Sequence, residues 1–241
     1  FAAARLEAAP DFVDATRARH ANYFLLLLHH QEDCWQTNQR QQALDLLTPE
    51  IENVRAAWQW AVAAVENQAT AAEAIEWLDQ ALVSLFFLYE SRGWFQDGAA
   101  AFGWAMAALE EVAGQAKQTY GRLLMRYGRF STFLGQYAKA QQVLEQALSH
   151  LQGGNDVKEI SFCHCYLSIV TGFQGNYERA EIEAETGFQL TKSVNHLPGL
   201  AFVQNLRGTL AQHTGDYGAA RQYLEESLAL RQQLGDLHGT A

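Results

Sequence analysis

The chain has 241 residues, 49% of them hydrophobic, and a formal net charge of −10 at pH 7. An acidic chain lacks the clustered Lys and Arg side chains on which non-specific nucleic-acid binding depends, so we expect no direct contact with nucleic acid. No stretch approaches eighteen consecutive apolar residues and no signal peptide is visible, so the sequence predicts no membrane span. Three cysteines do not form a disulfide framework, which favours a cytoplasmic location.

Apolar residues recur along the chain at helical spacing. Ala140, Val143, Leu144 and Ala147 are one example of the i, i+3, i+4, i+7 pattern of a helix with one buried face. Only three prolines interrupt the chain, and Ala, Leu, Gln and Glu, which favour helix, are abundant. We therefore predict an all-α protein with helices at about 11–33, 38–47, 49–66, 70–91, 95–112, 115–134, 137–152, 157–174, 177–193, 197–214 and 217–234.

The N-terminal third carries two distinctive segments, "RHANYFLLLLHH" (19–30) and "LLTPEIENVRAAWQWAV" (46–62). In the second segment Val54, Ala57, Trp58 and Ala61 share one helix face, so we interpret Trp58 as a core residue. The two segments resemble the connection between the ATPase modules and the repeat array in bacterial STAND (NB-ARC-type) regulators. The resemblance implies an ATPase upstream, since this chain has no G-x-x-x-x-G-K-[ST] loop. The residues that carry it are Arg19-His20, Tyr23, Glu50, Asn53, Arg55-Ala56-Ala57, Trp58 and Trp60.

A six-residue motif repeats at a spacing of 40 in the second half of the chain. It reads "GQYAKA" at 135–140, "GNYERA" at 175–180 and "GDYGAA" at 215–220, with a degenerate copy, "GWFQDG", at 93–98. Each glycine would end one helix with a positive φ, the tyrosine would begin the next, and the alanine would let the two helices approach closely. A period of this length predicts a solenoid of helical hairpins.

The repeats resemble the tetratricopeptide family in its form of about 40 residues. The family favours a Leu–Gly pair in the first helix, where this chain has Tyr127–Gly128; Gly208 matches the same glycine in the last copy. Leu167–Ser168 departs slightly from the pair, and Arg207 stands where leucine is usual. The resemblance implies a right-handed superhelix of antiparallel helix pairs. We expect a helical linker over 1–78 and repeats over 79–241, at about 79–112, 121–152, 161–193 and 201–234. Because "LGDLHGTA" (234–241) aligns with "VNHLPGLA" (194–201), we expect the array to be cut within a further repeat.

The first helix of each tetratricopeptide pair lines a concave groove, and this implies a set of ligand-binding residues. A protein, a peptide or a small inducer would bind there. The alternative for Phe162, Phe173 and Phe202 is packing between neighbouring repeats. The expected groove residues are Phe87, Arg122, Met125, Arg126, Arg129, Phe133, Phe162, Ile169, Phe173, Phe202, Asn205 and His213.

Arg122, Arg126 and Arg129 form a stripe along one helix face. Like charges at this spacing repel each other unless something negative lies opposite. Either a carboxylate from an adjacent helix or an anionic group of a ligand would satisfy them.

No catalytic set emerges. Cys163 and Cys165 would lie about 200° apart around a helix, so they could not bind one metal ion together, and core packing is the better interpretation of Cys163. We expect no metal and no cofactor. The sequence predicts a non-catalytic sensor or regulatory solenoid of a larger STAND-type ATPase, with a free-standing scaffold for a protein or peptide as the alternative.

Overall fold

The computed structural model describes residues 10–67, 69–112, 114 and 116–236. Within these residues the chain forms eleven α-helices and no strand, which confirms the all-α prediction. None of the described helices combines the length and the apolarity needed to cross a membrane. The helices are α1 (Pro10–His29), α2 (Arg40–Leu47), α3 (Ile51–Ala64), α4 (Ala71–Arg92), α5 (Phe95–Glu110), α6 (Lys117–Phe133), α7 (Tyr137–Leu151), α8 (Val157–Phe173), α9 (Tyr177–Ser193), α10 (Leu197–Thr214) and α11 (Tyr217–Leu234).

The described residues form two compact units. Unit 1 contains the residues up to Trp35 and Arg40–Val112, and unit 2 contains Gln36–Gln39 and the residues from Gly114 onward. The expected boundary after residue 78 does not coincide with this division, because it falls within α4. That helix buries side chains from Ala74 to Tyr89 and packs against α1 and α3, so residues 79–112 belong to unit 1.

Tryptophans anchor the core of unit 1. Trp58 is 1% exposed and its indole donates to the Ala101 carbonyl at 2.9 Å, which confirms its interpretation as a core residue. Trp35, in the segment that follows α1, donates to the Ser84 hydroxyl of α4 at 2.9 Å. Each indole nitrogen therefore has a partner, as a buried donor requires.

Three helix pairs make up most of unit 2: α6–α7, α8–α9 and α10–α11. The three turn glycines, Gly135, Gly175 and Gly215, have φ of 74°, 80° and 86°, as the repeated motif predicts. The residue after each glycine donates its N–H to a carbonyl five residues earlier, for example Gln136 to Ser131 at 2.9 Å. This hydrogen bond closes the end of the helix, and the second helix of each pair then begins at the motif tyrosine.

In each pair the two helices approach closely at the same position of the 40-residue repeat, which is residue 128, 168 or 208. A Cβ atom added at Gly128 would lie 2.7 Å from Leu144 Cγ, and one added at Gly208 would lie 2.6 Å from Leu224 Cγ. In the middle pair Ser168 occupies this position and donates to the Ala180 carbonyl at 2.7 Å. The residue 40 positions after Leu144 is the smaller Ala184. The departure at Ser168 is therefore accompanied by a smaller residue on the opposite helix.

Arg207, the second departure from the family pattern, is held by aromatic rings. Its guanidinium carbon lies 4.5 Å from the ring centroid of Phe188 and 4.3 Å from that of Tyr223. It also pairs with Glu185 at 2.8 Å. Stacking and charge pairing together explain an arginine where leucine is usual.

Candidate partner-binding surface

The first helices of the three pairs, α6, α8 and α10, contact one another in sequence order. We call the side chains that they leave at least partly exposed the A-helix surface. It includes nine of the expected groove residues: Arg122, Arg129, Phe133, Phe162, Ile169, Phe173, Phe202, Asn205 and His213.

An aromatic cluster connects α8 to α10 on this surface. The ring centroids of Phe162 and Phe202 are 5.9 Å apart, and Tyr166 lies 6.3 Å from the first ring and 6.1 Å from the second. His196, just before α10, meets Phe162 edge to face at 5.9 Å. Phe162 and Phe202 thus pack between neighbouring repeats, yet both remain partly exposed.

Two further aromatic residues of the surface stack on the motif tyrosines. Phe173 stacks on Tyr137 with ring centroids 5.2 Å apart and an interplanar angle of 15°, and His213 stacks on Tyr177 at 6.0 Å and 15°. The tyrosine that begins a second helix therefore contacts the first helix of the following pair. Phe173 nevertheless remains 62% exposed, so it lies outside the core.

Arg122 and Arg126 are paired with a buried carboxylate. Glu159 of α8 accepts from Arg126 at 2.7 Å through each of its oxygens and from Arg122 at 3.1 Å. Burial alone would raise the pKa of Glu159, but the charges and hydrogen bonds of the two arginines lower it to about 2. The sequence left two possible partners for the arginine stripe, a carboxylate of an adjacent helix or an anionic ligand. For Arg122 and Arg126 the partner is the carboxylate of an adjacent helix.

The remaining expected residues have different surroundings. Met125 and Arg126 are 1% and 6% exposed, so we leave both out of the proposed surface as a correction to the groove prediction. Arg129 lies over the rings of Phe133 at 4.0 Å and Tyr166 at 5.3 Å. Phe87 belongs to unit 1, where it stacks on Trp35 with ring centroids 6.0 Å apart.

The two cysteines of α8 are core residues. Both are buried, and burial raises the pKa of each thiol, that of Cys165 to about 12. The thiols therefore stay protonated at neutral pH, the form that neither attacks an electrophile nor binds a metal. Across residues 10–236, apart from the few that the structure does not describe, no group of His, Cys, Asp and Glu is placed to hold a metal ion.

Sequence reasoning missed Tyr166, His196 and Glu159 as members or supports of the surface. His196 falls in a predicted loop, but its Nδ1 accepts from the Gly199 N–H at 3.2 Å and so caps α10. Its position just before a helix was the available signal. Glu159 lies 33 residues after Arg126, a separation that the 40-residue period does not predict.

Comparison with known proteins agrees with this fold. The tetratricopeptide repeat family model matches residues 121–149 and 203–234, the helix pairs α6–α7 and α10–α11. The helix pair between them, α8–α9, has the same turn geometry. The protein is thus an all-α helical-repeat protein in which two segments match the tetratricopeptide repeat.

One solved structure gives a specific likeness. The chain is similar to the crystal structure of BtubC (BKLC) from P. vanneervenii, with a TM-score of 0.59 and 18% sequence identity, over 76% of this chain and 74% of that chain. A likeness at this identity shows a shared fold. No curated protein sequence matches the chain significantly.

Proposed function

We propose that the chain is a non-catalytic helical-repeat module that binds a protein or peptide partner on the A-helix surface of unit 2. Tetratricopeptide repeats generally act as protein-interaction scaffolds, and two segments of the chain match this repeat. The observation that supports this site is the partly exposed contact between Phe162 and Phe202, on two successive first helices. Aromatic side chains, phenylalanine among them, are enriched in protein interfaces relative to the rest of the protein surface.

The chemistry of the cluster favours a partner with apolar anchor residues. Burial, with the nearby Lys158 charge, lowers the pKa of His196, while Asp156 opposes this shift. The imidazole beside Phe162 is therefore neutral at pH 7. Asn205, exposed on α10, offers an amide that can donate to or accept from a peptide backbone.

The experiment is peptide selection from a random display library, followed by calorimetry on the selected peptides. We expect Asn205→Arg, which places a long charged side chain on the surface, to weaken binding at least tenfold. Gln142→Arg introduces the same side chain at an exposed position of α7 and is the matched control. Peptides that bind both variants equally well would contradict the proposed site.

We further propose that the module is the sensor of a larger cytoplasmic STAND-type signalling ATPase, in which partner or inducer binding controls an upstream ATPase. The support is the resemblance of segments 19–30 and 46–62. In unit 1, residues of these two segments are in contact. The side-chain amide of Asn53 donates to the Glu50 carboxylate at 2.7 Å, and Oδ1 of Asn53 lies 3.4 Å from His20 Nε2.

The alternative is a free-standing scaffold with the same binding surface. The coding sequence upstream of Phe1 distinguishes the two. A G-x-x-x-x-G-K-[ST] loop within a few hundred residues would support the sensor, and an upstream sequence without one would support the scaffold.

A further inference from the structure

A small pocket in unit 1 has a chemistry that the proposed function does not use. It has a volume of about 180 Å³ and lies among α3, α4 and α5. An apolar cavity of roughly 150 Å³ holds a molecule the size of benzene, so this pocket has room for the end of one large side chain. Its main lining residues are Arg55, Trp58, Gln59, Tyr89, Asp97 and Trp104.

Asp97 has an unused carboxylate oxygen in this pocket. Its Oδ2 accepts from the Arg55 guanidinium at 2.6 Å, whereas Oδ1 accepts no hydrogen bond from any described residue. The side chain is 54% exposed, so the unused oxygen lies within reach of a ligand.

The fixed charges around the pocket leave a negative excess. Arg55 is the cation of the lining, and it donates to Glu52 at 2.9 Å as well as to Asp97, so one guanidinium meets two carboxylates. It also bonds the Tyr89 hydroxyl, and burial raises the pKa of that phenol, which stays neutral. Arg55 already pairs with two carboxylates and is therefore a poor partner for an anionic ligand, whereas a cationic ligand could donate to Asp97 Oδ1.

Trp104 supplies an open aromatic face. Its side chain is 54% exposed, and it makes no ring contact or hydrogen bond within the part of the chain that the structure describes. The face of an indole is the best aromatic surface for a cation, and a carboxylate beside it adds a charged hydrogen-bond acceptor.

We propose that this pocket binds a cationic side chain, arginine or lysine, of a protein partner. The ligand cation lies over the Trp104 ring and donates to Asp97 Oδ1. An uncharged apolar side chain fits the pocket less well, because it would shield Asp97 Oδ1 from water without offering it a hydrogen-bond donor, and covering a polar atom in this way is costly.

The test uses ¹⁵N-labelled protein and short peptides that differ at one central residue. Acetyl-Gly-Arg-Gly-amide should shift the indole N–H signal of Trp104 saturably at low salt, and so should the lysine peptide. The signal is assigned by its loss in Trp104→Phe. The citrulline peptide, which has the shape of arginine without its charge, should bind at least tenfold more weakly.

Variants separate the two contacts. Asp97→Asn should lower the affinity for the arginine peptide at least tenfold. Trp104→Ala leaves all the ion pairs in place and should also lower this affinity, which is then measured on the amide signals of α5. Glu73→Gln removes an exposed charge elsewhere in unit 1 and should change nothing. Equal binding of the citrulline peptide, preference for a glutamate peptide, or no response to any peptide would each overturn the proposal.

Discussion

The close approach of helices within each pair gives a quantitative prediction at Gly128 and Leu144. A serine Cβ at position 128 would lie 2.7 Å from Leu144 Cγ and 2.9 Å from its Cδ2, and the Ala140 carbonyl is 3.4 Å away. Overpacking of this kind costs about 1–3 kcal/mol, and replacing a helical glycine offsets at most about 0.5–1 kcal/mol of this cost, which is the gain that alanine would give. Leu144→Ala alone should cost about 2–5 kcal/mol, because Leu144 is fully buried among its neighbours.

The double variant Gly128→Ser/Leu144→Ala should cost less than the sum of the two single changes. It recreates the pair found at Ser168 and Ala184, where the hydroxyl donates to the Ala180 carbonyl. We expect a favourable coupling of more than about 1 kcal/mol from urea unfolding followed by circular dichroism. The m-values must agree among the variants, since repeat arrays can unfold non-cooperatively. Additive costs would refute the idea that these positions determine each other's size.

Three further predictions follow from burial and pairing. Phe173→Ala should cost less than about 1.5 kcal/mol, the value of an aromatic pair, because Phe173 is 62% exposed; a loss of about 3–5 kcal/mol would place it in the core. Glu159→Gln should cost on the order of 3–5 kcal/mol at pH 7, because it leaves buried Arg126 without its counter-charge. The pKa of Glu159 is lowered from 4.5 to about 2, so the stability from this pair is present above about pH 4.5 and is lost as the pH falls toward 2. Urea unfolding from pH 7 to pH 3 should show this loss in the parent protein and little of it in Glu159→Gln. Amides of α11, which buries Ala220 and Ser227, should exchange faster than those of α7, which buries five residues, and equal rates in a demonstrated monomer would contradict this.

The repeated motif predicted the turns of unit 2 because its residues act locally. Gly135, Gly175 and Gly215 set the backbone direction where each first helix ends, whatever packs around them. For the same reason the predicted bounds of the last three helices coincide with those observed. The family resemblance also predicted that these helices form successive antiparallel pairs.

Contacts between helices were harder to predict, because they depend on which side chains meet across a packed surface. The stripe of arginines was visible in the sequence, but its partner, Glu159, is identified only by the crossing of α6 and α8. Met125 is buried and Asn205 is exposed, although both occupy the same position in the repeat. The pocket at Asp97 needed three helices to be placed together before it could be recognised.

The most direct test of the proposed function is a map of the backbone amide signals that shift when a selected peptide is added to ¹⁵N-labelled protein. The account predicts that the largest shifts fall on α8 and α10, around Phe162, Phe202 and Asn205, and that they disappear in Asn205→Arg. Shifts concentrated on α9 and α11 or in unit 1, with α8 and α10 unchanged, would contradict it.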